Sequence, residues 1–207
     1  VATLAGLLVL ALALAGLKML SGGQVSAEVG SIDEVGIDMD PTGNTVSSLG
    51  SIETCISKLN TDPNFDIDIY IKDSPADSPV SGFEGPFQFD QTKLTVVGKS
   101  TPGLTFINQI VGSNVFDFSE VLPAPPNNFN PNEWYMSVAD VGAYPGTSEM
   151  GEGYLQRLTL DITGAGPAII PLDLFTGVGG PWIVYGNGAP AGIYPVTNQK
   201  TAILALD

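Results

Sequence analysis

The chain has 207 residues, with 22 acidic against 7 basic side chains and a formal net charge of −15 at pH 7. A surface of that sign repels phosphate backbones, which sets nucleic acid aside as a partner. The sequence holds no histidine and a single cysteine, Cys55, so a Ser–His–Asp triad, histidine-ligated zinc and an internal disulfide are all excluded.

From Val1 to Leu20 the residues are Leu, Ala, Val and Gly almost without interruption, and Lys18 is the only charge. As a helix this segment spans about 30 Å, the thickness of a bilayer's hydrocarbon core. Ser21, Gly22 and Gly23 then form a hinge. No basic residues precede the apolar run, as they do in a secretory signal. The expectation is therefore that Val1 is a mature end, exposed by cleavage just ahead of the helix. An all-round apolar helix must hide from water in lipid or among its own copies. Val1, Leu4, Leu7, Leu8, Leu10, Leu12, Leu14 and Leu17 would supply the packing surface, with Ala5, Gly6, Ala11, Ala13, Ala15 and Gly16 allowing close approach.

This arrangement resembles that of a type IV pilin of bacterial or archaeal type. The resemblance implies a subunit anchored in the membrane before assembly and then polymerised through its helix into an extracellular filament of identical subunits. Ala5 stands where many bacterial members of that family carry Glu. A plain membrane anchor bearing an extracellular head is the alternative.

Residues 24–207 read as one head in which the pattern has period two. Val29 to Met39 is the first expected strand. It runs into Asp38, Met39, Asp40, Pro41, Thr42, Gly43 and Asn44, where Asp38, Asp40 and Asn44 have the spacing of the first half of a calcium loop. The twelfth position is Leu49, which excludes an EF-hand. A looser calcium site, to which Asp33 and Glu34 could add ligands, and a solvated Asx turn both remain open. Cys55, in Ile52 to Ile56, is expected to be a buried structural thiol.

Phe65, Ile67, Ile69 and Ile71 alternate with polar or amphipathic residues, one face to a core and the other to water. Further strands are expected at Phe87 to Asp90, Leu94 to Val97, Leu104 to Ile107, Trp134 to Val141, Tyr154 to Ile162, Ala168 to Phe175, Trp182 to Tyr185 and Thr201 to Leu206. Short strands broken by Gly, Pro, Asn and Ser point to a mainly β, antiparallel sandwich or jelly roll. The Pro- and Asn-rich segment from Leu122 to Trp134 is a candidate recognition loop, with Phe129, Trp134 and Tyr135 able to stack on sugars or fill a partner's pocket. The competing reading has Trp134 in the core. Carboxylate pairs such as Glu149 and Glu152, or Glu133 beside Trp134, carry no catalytic signature, and no enzymatic activity is expected.

Two segments carry a second resemblance. Val80 to Asp90, followed by Lys93 to Gly98, is similar to the early strands of cohesin-type domains, an aromatic-rich strand, a turn and a Lys-Leu strand ending at Val-Val-Gly. Gly151 to Leu160 resembles that family's Gly-x-Gly entry into an alternating strand. The resemblance implies a nine-stranded jelly roll over about Val29 to Asp207 and a family that binds dockerin partners. The expected protein is thus an apolar helix joined to a cohesin-like sandwich. It forms a filament of identical subunits or, alternatively, a membrane-anchored cell-surface module for carbohydrate or a dockerin-type partner.

Overall fold

The computed structural model describes residues 32–74, 80–100, 105–108, 113–119, 132–141, 149–174, 183–186, 192–194 and 196–207. The expected apolar helix, with its assembly residues Val1, Leu4, Leu7, Leu8, Leu10, Leu12, Leu14 and Leu17, lies outside the described residues, as does Phe129. Among the described residues no helix is long and apolar enough to cross a membrane.

Those residues hold thirteen strands: β1 (Ile32–Asp38), β2 (Cys55–Lys58), β3 (Phe65–Ser74), β4 (Val80–Gln88), β5 (Leu94–Lys99), β6 (Val115–Asp117), β7 (Glu133–Asp140), β8 (Gly151–Ile162), β9 (Ala168–Leu172), β10 (Ile183–Gly186), β11 (Gly192–Tyr194), β12 (Val196–Lys200) and β13 (Ala202–Leu206). They form a first sheet in the order β12-β1-β3-β8-β5, a second in the order β11-β10-β4-β7-β6 and a third in the order β2-β13-β9. Paired main-chain bonds between Gln88 and Asp173 join the end of β4 to the residue after β9. The head is therefore mainly β, as its alternating sequence dictates.

Two ladders depart from the expected antiparallel plan, since β1 pairs with β12, and β2 with β13, in parallel. The chain changes sheet at corresponding points on both sides, between β1 and β2 and at Thr201 between β12 and β13. Long connections make parallel neighbours of strands far apart in sequence.

Inward residues of all three sheets share one core. Phe65, Ile67, Ile69 and Ile71 of β3 face Phe83 and Phe87 of β4, Trp134, Met136 and Val138 of β7, and Ile170, Leu172, Leu204 and Leu206 of the third sheet. Pro86 sits in β4 between Glu84, its last neighbour paired to β10, and Gln88, whose N–H goes to Asp173. That gap asks no donor of its nitrogen.

Three expectations need correction. Leu104 to Ile107 was expected as a strand, but Phe106–Asn108 form a single 3-10 turn that buries Phe106 and Ile107, closed by the Asn108 N–H on Thr105 O at 3.0 Å. Cys55 is exposed rather than buried, because β2 is an edge strand whose inward position is taken by Ile56. The second face of β3 is not wholly wet, because the Met39–Thr54 connection folds over it and leaves Asp68 and Tyr70 buried. Tyr70 lies flat on Gly36, where a Cβ would stand 2.5 Å from the ring.

Candidate functional site

The turn after β1 is built on Asp38. Its Oδ1 accepts the Asp40 N–H at 3.1 Å and the Glu53 N–H at 2.9 Å, and its Oδ2 accepts from Asn44 Nδ2 at 2.8 Å. The same amide nitrogen donates to Asp68 Oδ2 at 3.0 Å, while Asn44 Oδ1 accepts the Gly50 N–H. Two buried carboxylates are thus bridged by one carboxamide, and Arg157 closes the row on Asp68. Burial pushes the Asp68 carboxyl above its ordinary range despite hydrogen bonds from Arg157 and Asn44. The Asp68 carboxylate in turn raises the Arg157 guanidinium.

This arrangement brings two of the three calcium candidates together and leaves the third aside. Asn44 offers Asp38 its N–H rather than its oxygen, and the exposed Asp40 carboxylate turns back onto the Thr42 N–H. The segment makes two successive Asx turns. Among the described residues no group of three His, Cys, Asp or Glu is placed to hold a metal ion. Glu34 faces Tyr70 and Lys200 instead of the turn, at 2.6 and 3.7 Å.

Beside the turn lies a cleft of about 560 Å³ lined by Asp40, Thr42, Lys58, Phe65, Asp66 and Arg157 among others. Lys58 Nζ sits 5.4 Å from the Phe65 ring centroid. None of Glu133, Glu149 and Glu152 lines it; Glu133 and Glu149 are buried, and Glu152 accepts the Leu49 N–H at 3.4 Å.

Of the recognition-loop candidates, Trp134 is fully buried because it occupies an inward position of β7. Its ring meets Lys99 Nζ at 5.8 Å, and that ammonium pairs with Asp117 at 2.7 Å. Trp134 is therefore a core residue, held between the edge strands of two sheets. Tyr135 takes the next, outward position, and burial together with Glu84 and Glu133 pushes its hydroxyl up to about 12.

The outer sheet faces carry what the sequence reading passed over. On the third sheet the cross-strand rows are Cys55, Ile203 and Pro171, then Ser57, Ala205 and Ile169. No charge interrupts them, and Ile169 is 70% exposed. On the second sheet Phe116 and Phe118 are exposed, with rings 6.1 Å apart and 14° from parallel. The signal available was an apolar residue at the outward position of an alternating strand, in Ala-Ile-Ile-Pro-Leu and in Val-Phe-Asp-Phe.

No family model matches the sequence, and no curated protein matches it. Solved structures do. A non-cellulosomal cohesin from the archaeon Archaeoglobus fulgidus superposes with a TM-score of 0.51 at 10% identity, covering 86% of this chain and 92% of that one. The OlpC cohesin in a type I cohesin–dockerin complex from Clostridium thermocellum gives 0.56 at 12%, covering 88% and 97%. The fold is cohesin-like. A cohesin module from a Clostridium perfringens family 33 glycoside hydrolase matches similarly, at 0.53 and 10% identity over 86% of this chain and 98% of that one. At such identities the likeness extends to the arrangement of strands and not to surface residues.

Proposed function

We propose that this chain is an extracellular binding module whose cohesin-like sandwich seats a dockerin-type protein domain, displayed at the cell surface behind the apolar segment Val1 to Leu20. The observation that carries the reading is the uncharged outer face of the third sheet, centred on Ile169 and Ile203, on a chain of net charge −15. Contiguous exposed apolar side chains on an otherwise charged surface mark contact sites. The likeness to modules solved in cohesin–dockerin complexes supports a protein domain as the occupant.

Calorimetry of the full chain against a panel of dockerin domains tests it. Saturable binding that is lost in the double variant Ile169→Asp, Ile203→Asp supports the reading. Binding unchanged by that pair, or absent across the panel, overturns it.

A second reading keeps the same head on the outside of a filament. It is favoured by the length and small-residue content of Val1 to Leu20, which suit a bundle of identical helices. A head-to-tail contact that does not close generates helical polymers. Negative-stain microscopy of the cell-surface fraction should then show fibres that disappear in the Leu8→Asp, Leu12→Asp variant, and fibres persisting there would refute it.

A further inference from the structure

We propose that the cleft beside β2 is a gap between two strand edges that receives the segment Val25–Val29 of a second copy of this chain, joining the heads head to tail. The contact stands apart from both readings above. It uses neither Ile169 nor Ile203, and it needs no bundle of apolar helices.

Two unpaired edges face the cleft, which is lined by Ile56, Ser57 and Lys58 of β2 and by Phe65 and Asp66 of β3. Among the described residues β2 pairs only with β13. Thr54 O takes the Ile203 N–H at 2.8 Å, and Lys58 O takes the Asp207 N–H at 3.1 Å. In a parallel ladder of that phase the main-chain groups of Cys55 and Ser57 point to the open side. The alternation on β3 has a similar result. Arg157 O accepts the Ser100 N–H at 2.8 Å, toward β5, so the opposed Asp68, and with it Asp66, turns its main-chain groups toward β1. Yet β1 pairs no further than Asp38 with Asp68. The Asp40 N–H turns back onto Asp38 Oδ1, and Pro41 follows without a donor. Among the described residues no strand therefore faces Asp66. The Met39 N–H on Glu53 O, at 2.7 Å, closes one end of the gap. Open edges of this kind are where another extended chain adds.

Length, pattern and charge select the occupant. β2 is four residues long, an edge of about 13 Å. Ahead of β1, Val25, Ala27 and Val29 alternate with Ser26 and Glu28. Laid in the gap, such a strand sets three small apolar side chains toward Met39, Ile56 and Phe65 and its polar ones outward. The run Val1 to Leu20 lacks that alternation. Lys58 and Arg157 line the cleft against Asp40 and Asp66, a balance that disfavours a strongly charged strand of either sign. Val25–Val29 carries one charge, Glu28. Lys58 holds its ammonium near the Phe65 ring and, among the described residues, is in no ion pair.

Reach makes the donor another copy. Ile32 begins β1 opposite Val196, and the gap begins beyond Asp38, about 20 Å further along the strand. Val29, close before Ile32 in sequence, extends back from it by about 11 Å at most. A chain cannot lay this segment in its own cleft. Because the segment leaves from one end of β1 and the cleft lies at the other, the contact does not close and repeats from copy to copy.

The experiment is disulfide trapping in the purified full chain, held in mild detergent, with Cys55 as the acceptor thiol. Cys55 is exposed on the outer side of β2, the side to which Ser26 and Glu28 would point. On oxidation, Ser26→Cys or Glu28→Cys should give a series of multimers on non-reducing gels, with peptide mapping placing the bond at Cys55. Ala27→Cys, pointing inward, and the parent should give dimers at most. Adding Ser57→Pro, which blocks the open side of β2 and spares its bonds to β13, should abolish the series. Near-UV circular dichroism verifies folding, and the cysteine pattern carries the test if the proline variant does not fold. Ile169→Asp, Ile203→Asp and Leu8→Asp, Leu12→Asp should both leave the series unchanged, which separates its fate from those of the two readings above. No multimers from either outward variant, an equal series from Ala27→Cys, a bond formed within one chain, or a series that survives in folded Ser57→Pro would each overturn the proposal.

Discussion

Arg157 forks onto Asp68, its Nε donating to Oδ1 at 2.7 Å and its Nη2 to Oδ2 at 2.8 Å, from the directly opposed position on β8. Asp68 is completely shielded and Arg157 keeps some contact with water. Removing the cation strands a buried carboxylate, whereas removing the carboxylate leaves a cation that still reaches water. Arg157→Ala should therefore destabilise the head by about 3 kcal/mol, and Asp68→Asn by clearly less, as read by urea unfolding. Equal losses in the two variants would show the pair is not the source.

Protonation at Asp68 has the opposite stability sign to protonation at Asp90. Burial raises the Asp68 carboxyl above 3.8, so on acidification the folded chain takes up this proton first, and stability contributed by this group rises as pH falls toward 3.8. Hydrogen bonds from Thr92 lower Asp90 below 3.8, so its contribution is complete above that value and disappears as pH falls through the lower folded one. Unfolding midpoints followed from pH 6 to pH 3 should fall more steeply in Asp68→Asn than in the parent and less steeply in Asp90→Ala.

Gly36 has no room for a side chain, because a Cβ would lie 2.5 Å from the Tyr70 ring, whose hydroxyl is committed to Glu34 at 2.6 Å. Gly36→Ala should cost about 1–3 kcal/mol through overpacking. Tyr70→Phe should cost about 1–2 kcal/mol by removing the hydroxyl that donates to Glu34 Oε1, the carboxylate keeping Lys200 and some water. Thermal melts of the two variants, and of the double variant for non-additivity, provide the measurement.

Cys55 should react with a thiol-specific chromogenic disulfide reagent at full stoichiometry in the folded protein. Its exposure on an edge strand predicts a rate close to that of a free peptide cysteine. Protection until denaturant is added would place it back in the core.

How much of this could be read in advance varied strand by strand. β3, β7, β8 and β13 were legible because each buries every second residue against one continuous core, and that leaves period two in the sequence. β12, Val-Thr-Asn-Gln-Lys, was invisible, since an edge strand held by a parallel ladder to β1 needs main-chain bonds and little apolar patterning. Cys55 misled because its neighbours Ile52 and Ile56 suggested burial without revealing which side of the strand faced in. Asp38 and Asn44 were picked out by turn chemistry, yet their true partner, Asp68, lies 24 residues beyond Asn44, in β3. Trp134 stood at the end of a loop, and only the pairing of β7 between β4 and β6 decides that it points inward. Phe116 and Phe118 are separated by one residue, a spacing that was in plain view but had no strand assigned to it.

The parallel pairing of β1 with β12 and of β2 with β13 also governs how the head would answer a mechanical load. Tension drawing Ile32 and Leu206 apart would act along the β1–β12 and β2–β13 ladders, straining their hydrogen bonds together in shear instead of peeling them singly. Load borne by several hydrogen bonds at once is resisted more strongly than load that opens them one after another.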